Sequence, residues 1–184
     1  WINTDRVIGV NIYTQNEFIP EIFCSEPAIS SNEYNNYWTN GSGVKFDNIQ
    51  GSIINTTGVT SWGVSGAHSK NFLPLNQDGS FSFKVHKFFK GYVGWITSFT
   101  SVGQIPMYGF NFTSGGVSVC ADGGIWSSNG SFNDTDEFKL LRISGTVYLY
   151  RNGELLFSAL NSSSFQSFVA LKNTGSIQSH LTAD

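Results

Sequence analysis

The segment Thr146–Ser158, Thr-Val-Tyr-Leu-Tyr-Arg-Asn-Gly-Glu-Leu-Leu-Phe-Ser, decides the fold class. Two apolar, strand-prone runs flank Asn152-Gly153. An Asn-Gly pair tolerates the positive φ angles of a type I′ turn, whose twist matches that of paired strands. This turn predicts three cross-strand pairs: Arg151 with Glu154, Tyr150 with Leu155, and Tyr148 with Phe157. We expect the charged pair to close a β-hairpin and the apolar pairs to stabilise it.

Short strand signals recur along the rest of the chain, each rich in Val, Ile, Phe, Tyr or Thr and bounded by turn residues. No segment shows helical periodicity with caps. The predicted strands are Arg6–Tyr13, Glu17–Cys24, Val44–Ile49, Val59–Trp62, Phe81–Val85, Tyr92–Phe99, Met107–Phe112, Val117–Cys120, Phe138–Ile143, Val147–Tyr150, Leu155–Ser158 and Ser167–Leu171. Short, regularly spaced strands without helices predict an all-β, two-sheet antiparallel β-sandwich or a barrel.

The clearest local unit is a meander. Phe138–Ile143 leads through Ser144-Gly145 into the first arm of the Asn152-Gly153 hairpin, and both turns are short and contain Gly. Two stretches carry little strand signal, Ser25–Gly43 and Ala121–Asp136. Because loops of that length are uncommon in compact domains and are often functional, we expect binding residues there.

The composition bounds the class of protein. A chain of 184 residues that is 40% apolar fits a single domain, 1–184, with a substantial core. Charged residues make up 12%, so surface polarity comes mainly from Ser, Thr, Asn and Gly, a pattern typical of extracellular β-proteins. A net charge of −3 with scattered Lys and Arg argues against a nucleic-acid partner. No apolar run approaches the roughly 20 residues of a membrane span, so no membrane insertion is expected.

Processing signals add little. No signal peptide precedes Trp1, and we expect the sequence to be excised from a longer protein. Cys24 and Cys120 are too few and too far apart for a zinc site; they are either two separate buried thiols or a disulfide. Six Asn-x-Ser/Thr sequons exceed the roughly three or four expected by chance, which weakly favours a secreted protein. They are Asn40, Asn55, Asn111, Asn129, Asn133 and Asn161.

Three segments together resemble the concanavalin A-like lectin/glucanase superfamily. They are Trp62–Ser69 with Phe81–Val85 after it, Tyr92–Ile96, and Glu137–Glu154 with its Gly-Thr-Val-Tyr-Leu-Tyr-Arg-Asn-Gly core. The resemblance implies a jelly roll of two antiparallel sheets, one of them concave, with carbohydrate or glycoconjugate binding as the common activity. The Glu-x-Asp-x-x-Glu motif of the glucanases is absent, and the Ca²⁺ and Mn²⁺ ligands of legume-type lectins have no counterparts. The resemblance therefore implies a non-catalytic member.

The acidic residues leave three interpretations open. Asp134, Asp136 and Glu137 form the single acidic cluster. The simplest interpretation is a solvated loop that leads into a strand. A catalytic carboxylate pair needs separations of about 5 to 9.5 Å, which the spacing alone does not exclude. A Ca²⁺ site of Asp122, Asp134 and Asp136 is the third interpretation, since Ca²⁺ takes loop oxygens; no other cofactor is expected. His68, His86 and His180 are widely separated and are expected to be structural.

The aromatic residues are the best candidates for ligand contacts. A sugar ring has an apolar face and a rim of hydroxyls, so its site needs an exposed aromatic ring beside polar groups. Trp126 has Asp122 and Asn129 close in sequence, and Trp38 follows Tyr37 in a similar setting. We expect Tyr108 and Asn111 to share a strand face next to Trp126. The alternative for Trp126 and Trp38 is that each ring anchors a loop; Trp62 and Trp95 are expected in the core.

These observations predict a non-catalytic module that binds cell-surface glycans, such as an adhesin, fibre-tip or receptor-binding domain. Its partner would be a cell-surface glycan or glycoprotein, and its location extracellular or on a virion or cell surface. A homo-oligomeric head, commonly a trimer in such proteins, would supply avidity. Two alternatives remain: a glycoside hydrolase or lyase on the same fold, and a structural module that binds protein during assembly.

Overall fold

The computed structural model describes residues 10–13, 17–20, 38–47, 52–56, 63–70, 72–114, 116–172 and 180–183. Within these ranges the chain forms sixteen β-strands and no helix. The strands are β1 Val10–Tyr13, β2 Glu17–Pro20, β3 Trp38–Ser42, β4 Val44–Asp47, β5 Ser52–Asn55, β6 Ser65–Ser69, β7 Gly79–Val85, β8 Gly91–Ile96, β9 Tyr108–Thr113, β10 Gly116–Ala121, β11 Gly124–Ser128, β12 Glu137–Ile143, β13 Thr146–Arg151, β14 Glu154–Leu160, β15 Gln166–Leu171 and β16 His180–Ala183.

The strands assemble into two seven-stranded antiparallel sheets and a separate β1–β2 hairpin. Sheet I has the order β11-β10-β9-β8-β15-β6-β3, and sheet II has the order β14-β13-β12-β7-β16-β5-β4. The predicted all-β sandwich and the β12–β13–β14 meander are both confirmed. At one side of the molecule β11 and β14 are the edge strands of their sheets, and no other strand among the described residues pairs with their outer sides.

The core lies between the two sheets and is mainly aromatic. Phe83 of β7 meets Phe110 and Phe112 of β9 with ring centroids 6.0 and 6.3 Å apart. These contacts join sheet II to sheet I, and edge-to-face packing of this kind adds to the stabilisation from area burial alone. Trp95 is fully buried and stacks on Phe165 at 5.3 Å, as its core assignment predicted. Trp62 lies outside the described residues.

The Asn152-Gly153 turn has the predicted geometry, with φ angles of 52° and 80°. Arg151 faces Glu154 and Tyr150 faces Leu155, as expected. The third predicted pair is wrong, because the ladder shifts after Tyr150 and leaves Leu156 as an extra residue in a β-bulge. Leu149 therefore faces Phe157, and Tyr148 faces Ser158. The bulge turns Leu156 and Phe157 toward the core, where both pack in part.

Five strands lie outside the set predicted from local strand signals: β3, β5, β6, β11 and β16. The family resemblance did place a strand at β6. Of the two predicted long loops, Ser25–Gly43 contains β3 in its described part, and Ala121–Asp136 contains β11. The β10–β11 hairpin turns at Asp122-Gly123, with φ angles of 51° and 72°. Asp-Gly is a hairpin signal like Asn-Gly, so the sequence alone indicates this turn.

A buried arginine ties two loops to sheet II. The Arg142 guanidinium is fully buried and donates to the carbonyls of Pro74, Gln77 and Ser163. It also lies over the Phe165 ring, 5.4 Å from the centroid. The loop before β7 and the segment before β15 are therefore held to β12 by one side chain. Burial lowers the pKa of Arg142, and the nearby Asp78 opposes that shift.

Cys120 is a free and fully buried thiol. The disulfide alternative is therefore absent from the structure at Cys120; Cys24 lies outside the described residues. Cys120 packs with Tyr92, Ile96 and Phe168 in a small apolar cluster on the face of sheet I that points away from the core. Burial raises the pKa of this thiol to about 12.

Candidate binding site at one edge of the sandwich

The two sheets come into aromatic contact along the edge formed by β11 and β14. Trp126 of β11 and Phe157 of β14 meet edge to face with centroids 5.9 Å apart. Phe157 in turn lies 6.3 Å from the Tyr108 ring. This row of three rings runs from the exposed edge to the buried core, so the edge is anchored to the rigid part of the fold.

Trp126 owes its position to a second β-bulge. Val119 pairs with Ser127 and Cys120 pairs with Ile125, which leaves Trp126 as the extra residue. The indole Nε1 donates to the Ala121 carbonyl at 2.9 Å. The side chain is nevertheless 63% exposed. A bulge redirects a side chain out of the regular pleat, and here it presents a large aromatic ring to solvent while one hydrogen bond fixes its orientation.

Asp122 lies beside this ring, in the turn between β10 and β11. Its Oδ1 accepts a hydrogen bond from the Tyr108 hydroxyl at 3.2 Å, and the same hydroxyl accepts one from Asn161 Nδ2 at 3.1 Å. Tyr108 is 1% exposed, so it supports Asp122 from beneath and does not itself reach the surface. Burial raises the pKa of the Tyr108 phenol; the Asn161 hydrogen bond opposes this and the Asp122 carboxylate adds to it.

A shallow pocket of about 240 Å³ continues the edge beyond Trp126. Its lining is Asn129, Arg151, Asn152, Glu154 and Leu156. The Leu156 bulge supplies an apolar wall, and Asn129 follows the end of β11. The Asn129 amide nitrogen is weakly bonded to Ser127, at 3.3 Å to the hydroxyl and 3.4 Å to the carbonyl. We define the edge site as Asp122, Trp126, Asn129, Glu154, Leu156 and Phe157.

The Arg151 guanidinium at the base of this pocket is used internally. It donates to the carbonyls of Asn129 and Ser131 and forms an ion pair with Asp136, Nη2 to Oδ2, at 2.6 Å. The predicted Arg151–Glu154 pair across the turn is therefore not formed as an ion pair. Glu154 is exposed, and its carboxylate has no hydrogen-bond or ion-pair partner among the described residues.

Asp136 is buried, which contradicts the expectation of a solvated loop. It also accepts from Asn152 Nδ2 at 2.8 Å and from the Asn133 backbone at 3.1 Å. Burial by itself would raise the pKa of Asp136, but the hydrogen bonds from Asn152, Arg151 and Asn133 and the Arg151 charge outweigh it and lower that pKa. Asp136 is thus a structural anion under the hairpin.

The Ca²⁺ alternative required Asp122, Asp134 and Asp136 to converge, and the structure does not bring them together. Each binds a different partner: Asp122 the Tyr108 hydroxyl, Asp134 the Lys87 backbone and Asp136 the Arg151 guanidinium. Over the described ranges no group of three or more His, Cys, Asp or Glu side chains could hold a metal ion.

The remaining predicted contact residues lie elsewhere. Trp38 begins β3, is 4% exposed and meets Phe81 in the core at 6.4 Å, so the expectation of an exposed ring is wrong there. Tyr37 lies outside the described residues. Tyr108 and Asn111 do not share a face: Tyr108 points into the core with Phe110 and Phe112, and Asn111 points to the opposite side of sheet I. Residues three apart on a regular strand lie on opposite faces of the sheet.

Of the predicted contacts, Asp122, Trp126 and Asn129 lie along β11 and its flanking residues, at the edge of sheet I. Glu154, Leu156 and Phe157 of the edge site were not predicted as contacts. These three residues lie in the predicted hairpin, but a regular ladder without a bulge gives them only structural roles. The bulge at Leu156, which redirects them, has no Gly or Pro to mark it.

No family model and no curated protein matches the sequence. The fold does match solved structures. The SPRY domain of human HERC1 superposes with a TM-score of 0.52 at 13% identity, over 76% of this chain and 91% of that chain. The TRIM65 PSpry domain gives 0.55 at 10% identity, over 80% and 90%. Alginate lyase AlgAT5 of polysaccharide lyase family 7 gives 0.48 at 13% identity, over 81% and 95%.

The two SPRY domains, with TM-scores above 0.5, are concanavalin A-like jelly-roll β-sandwiches, and the chain has that fold, as the resemblance in sequence implied. At identities this low the likeness concerns the fold alone. Separately, in the part of the chain that the structure describes, there is no helix with the length and hydropathy needed to span a membrane.

Proposed function

We propose that the chain is a non-catalytic module that binds cell-surface glycans through the edge site. The observation that carries this proposal is the exposure of Trp126, a ring that is 63% accessible although a hydrogen bond and an aromatic contact hold it in place. Orienting an exposed indole in this way costs conformational freedom and gains little for the core, which favours a role in recognition.

The neighbours of Trp126 suit a sugar ring. A pyranose stacks its C–H face on an aromatic ring and directs its hydroxyls sideways. Along the same edge lie Asp122, in the turn before β11, and Asn129 and Glu154, which line the adjacent pocket. All three have oxygen atoms that can accept from hydroxyl groups. An aromatic platform with a few fixed polar groups is the usual composition of a small-ligand site.

The acidic residues favour binding over hydrolysis. A glycosidase needs one carboxyl group whose pKa is raised so that it can act as an acid. Asp136 has the opposite environment, since its hydrogen bonds and Arg151 lower its pKa. Asp122 and Asp134 are exposed to solvent. This supports the non-catalytic proposal over a hydrolase on the same fold.

A shallow edge site binds weakly, so we also propose that the module acts extracellularly in a multivalent assembly. Repeating a weak site raises the effective affinity by 10² to 10⁴ without any new contact. A homo-oligomer such as a trimer would provide this, and the low share of charged residues, 12%, suits a surface-exposed head.

A protein partner is the second candidate, favoured by the open edges of β11 and β14. An edge strand can accept a strand from another chain, and Ile125 and Leu155 next to these edges are 50% and 49% exposed. A bound peptide strand would depend on backbone pairing, so it would tolerate loss of the Trp126 ring and would be blocked by Leu155→Lys.

A glycan array followed by titration of its best ligand tests the proposal. We expect saturable binding that falls at least tenfold in Trp126→Ala, because the stacking surface is removed. Phe72→Ala is the matched control, since Phe72 is an aromatic residue on another loop that is 49% exposed. Circular dichroism would verify that both variants fold. Equal glycan binding by wild type and Trp126→Ala would overturn the site, and a blank array with peptide capture would favour the protein partner.

A further inference from the structure

We infer that the edge site selects glycans that carry free amino groups and disfavours glycans that carry carboxylates or sulfates. This inference rests on the proposed function and specifies its ligand class. It comes from the charge of the side chains that line the edge and from the bonds that each already makes.

The edge site offers an acidic sugar no uncompensated cation. Among the described residues Arg151 is the one cationic side chain in the pocket lining, and three of its five N–H donors bind the Asn129 and Ser131 carbonyls and Asp136. The ion pair with Asp136, at 2.6 Å, compensates its charge. A sugar carboxylate at Asn129 would therefore gain little from Arg151 and would be repelled by the exposed Glu154 carboxylate.

The same edge carries two carboxylates with free capacity. Glu154 has no ion-pair or hydrogen-bond partner among the described residues. Asp122 is exposed and uses one oxygen, Oδ1, to hold the Tyr108 hydroxyl. Asp122 lies in the turn before β11 and Glu154 begins β14, so the edge site carries two negative charges in addition to the Trp126 ring.

The exposed indole adds to this preference. The face of a tryptophan attracts a cation within about 6 Å of the ring centre, and the attraction does not require a salt bridge. An ammonium group on a stacked sugar would therefore be attracted by the indole face and by the negative charge of the edge site. A neutral sugar keeps the stacking alone, and an acidic sugar meets repulsion from Asp122 and Glu154.

Three oligosaccharides of equal length distinguish these cases: a β-1,4-glucosamine oligomer, its fully N-acetylated form and an oligogalacturonate. Calorimetry at pH 6 and low salt should show the free amine binding about three- to tenfold more tightly than the acetylated form, as expected for two solvent-exposed charge contacts. The oligogalacturonate should bind more weakly than both, and the advantage of the amine should shrink in 0.5 M salt.

Charge-removing variants locate the effect. Glu154→Gln and Asp122→Asn should each reduce the logarithm of the affinity ratio between the amine and the acetylated oligomer by about half. The affinity for the acetylated oligomer should stay nearly unchanged. Asp78→Asn, on the loop before β7, is the matched control and should change neither. Tightest binding of oligogalacturonate, or an amine preference that survives both edge variants, would overturn the inference.

The proposed function fails by a different result. If the inference alone is wrong, Trp126→Ala still abolishes binding of whichever oligomer binds best, and the charge variants have no selective effect. If the edge is not a glycan site, no sugar on the wider array binds in a manner that depends on Trp126. Either result would rule out an amine-bearing glycan as the ligand of the edge site.

Discussion

Arg151 and Asp136 form a partly buried ion pair, with Nη2 2.6 Å from Oδ2 and the two side chains 18% and 5% exposed. The pair connects the last residue of β13 to the loop before β12. It also sets the charge of the neighbouring pocket. Asp136 neutralises Arg151, the one guanidinium among the described residues of the lining, and the Glu154 carboxylate has no partner among the described residues.

Replacing Asp136 with Asn should reveal this pair as a pH-dependent stabilisation. The folded protein holds the pKa of Asp136 below its ordinary value, so the contribution is present above about pH 4 and is lost as the pH falls through the folded pKa. We expect Asp136→Asn to lose about 3 kcal/mol at pH 7, the lower end for breaking a buried pair. In urea unfolding, the difference in stability between the two proteins should shrink as the pH falls below about 4; a constant difference over the whole range would contradict this.

Arg142→Met should be strongly destabilising, although the methionine side chain replaces the aliphatic part of the arginine. The Pro74, Gln77 and Ser163 carbonyls lose their shared charged donor, and hydrogen bonds from a charged group contribute about 1.5 to 3 kcal/mol each. Urea denaturation should show a loss of about 3 kcal/mol or more. Lys139→Met on the same strand, where the side chain is half-buried, should change stability by under about 1 kcal/mol; equal losses would contradict the role of Arg142.

Gly94→Ala should prevent correct packing of sheet I. A Cβ at this position would lie 2.2 Å from the Tyr108 carbonyl oxygen and 2.7 Å from the Gly109 Cα, both in the neighbouring strand. Backbone cannot yield as a side-chain tip can, so we expect insoluble or poorly folded protein. Gly123→Ala is the comparison: nothing lies within 4 Å of its Cβ, and only its φ of 72° opposes the change, at about 1 to 2 kcal/mol. Far-UV circular dichroism and melting temperatures would separate the two.

Cys120 should be unreactive in the folded protein. With its pKa raised to about 12 by burial, about one part in ten thousand of this thiol is ionised at pH 8, and the thiolate is the reactive form. In a Cys24→Ser variant, iodoacetamide at pH 8 should leave Cys120 unmodified for hours and label it within minutes in guanidinium chloride. Rapid labelling of the native protein would show that sheet I opens at β10.

Much of sheet II was predictable because its signals are local. The Asn152-Gly153 and Ser144-Gly145 turns need backbone conformations that few residue pairs adopt, and both have the positive φ angles expected. The strands joined by these turns follow in order as β12, β13 and β14. The Asp122-Gly123 turn carries the same local signal, so β11 and the exposed edge are also predictable from the sequence.

The identity of the exposed tryptophan was not predictable from local signals. Trp38 and Trp126 stand in similar polar surroundings in the sequence, yet one is 4% and the other 63% exposed. The difference arises because β3 turns Trp38 toward Phe81, whereas the bulge in β11 turns Trp126 outward. Burial depends on what another strand brings to the same place, which a single stretch of sequence does not contain.

The sequence by itself determined the all-β class, the hairpin turns and the absence of the glucanase motif, since these depend on backbone conformation and residue identity over a few positions. Only the tertiary structure decided that Arg151 binds Asp136 and not Glu154, and that Phe157 meets Trp126. Those choices follow from competition between partners distant in sequence: the buried carboxylate, with its lowered pKa, holds the guanidinium more strongly than an exposed one across a turn.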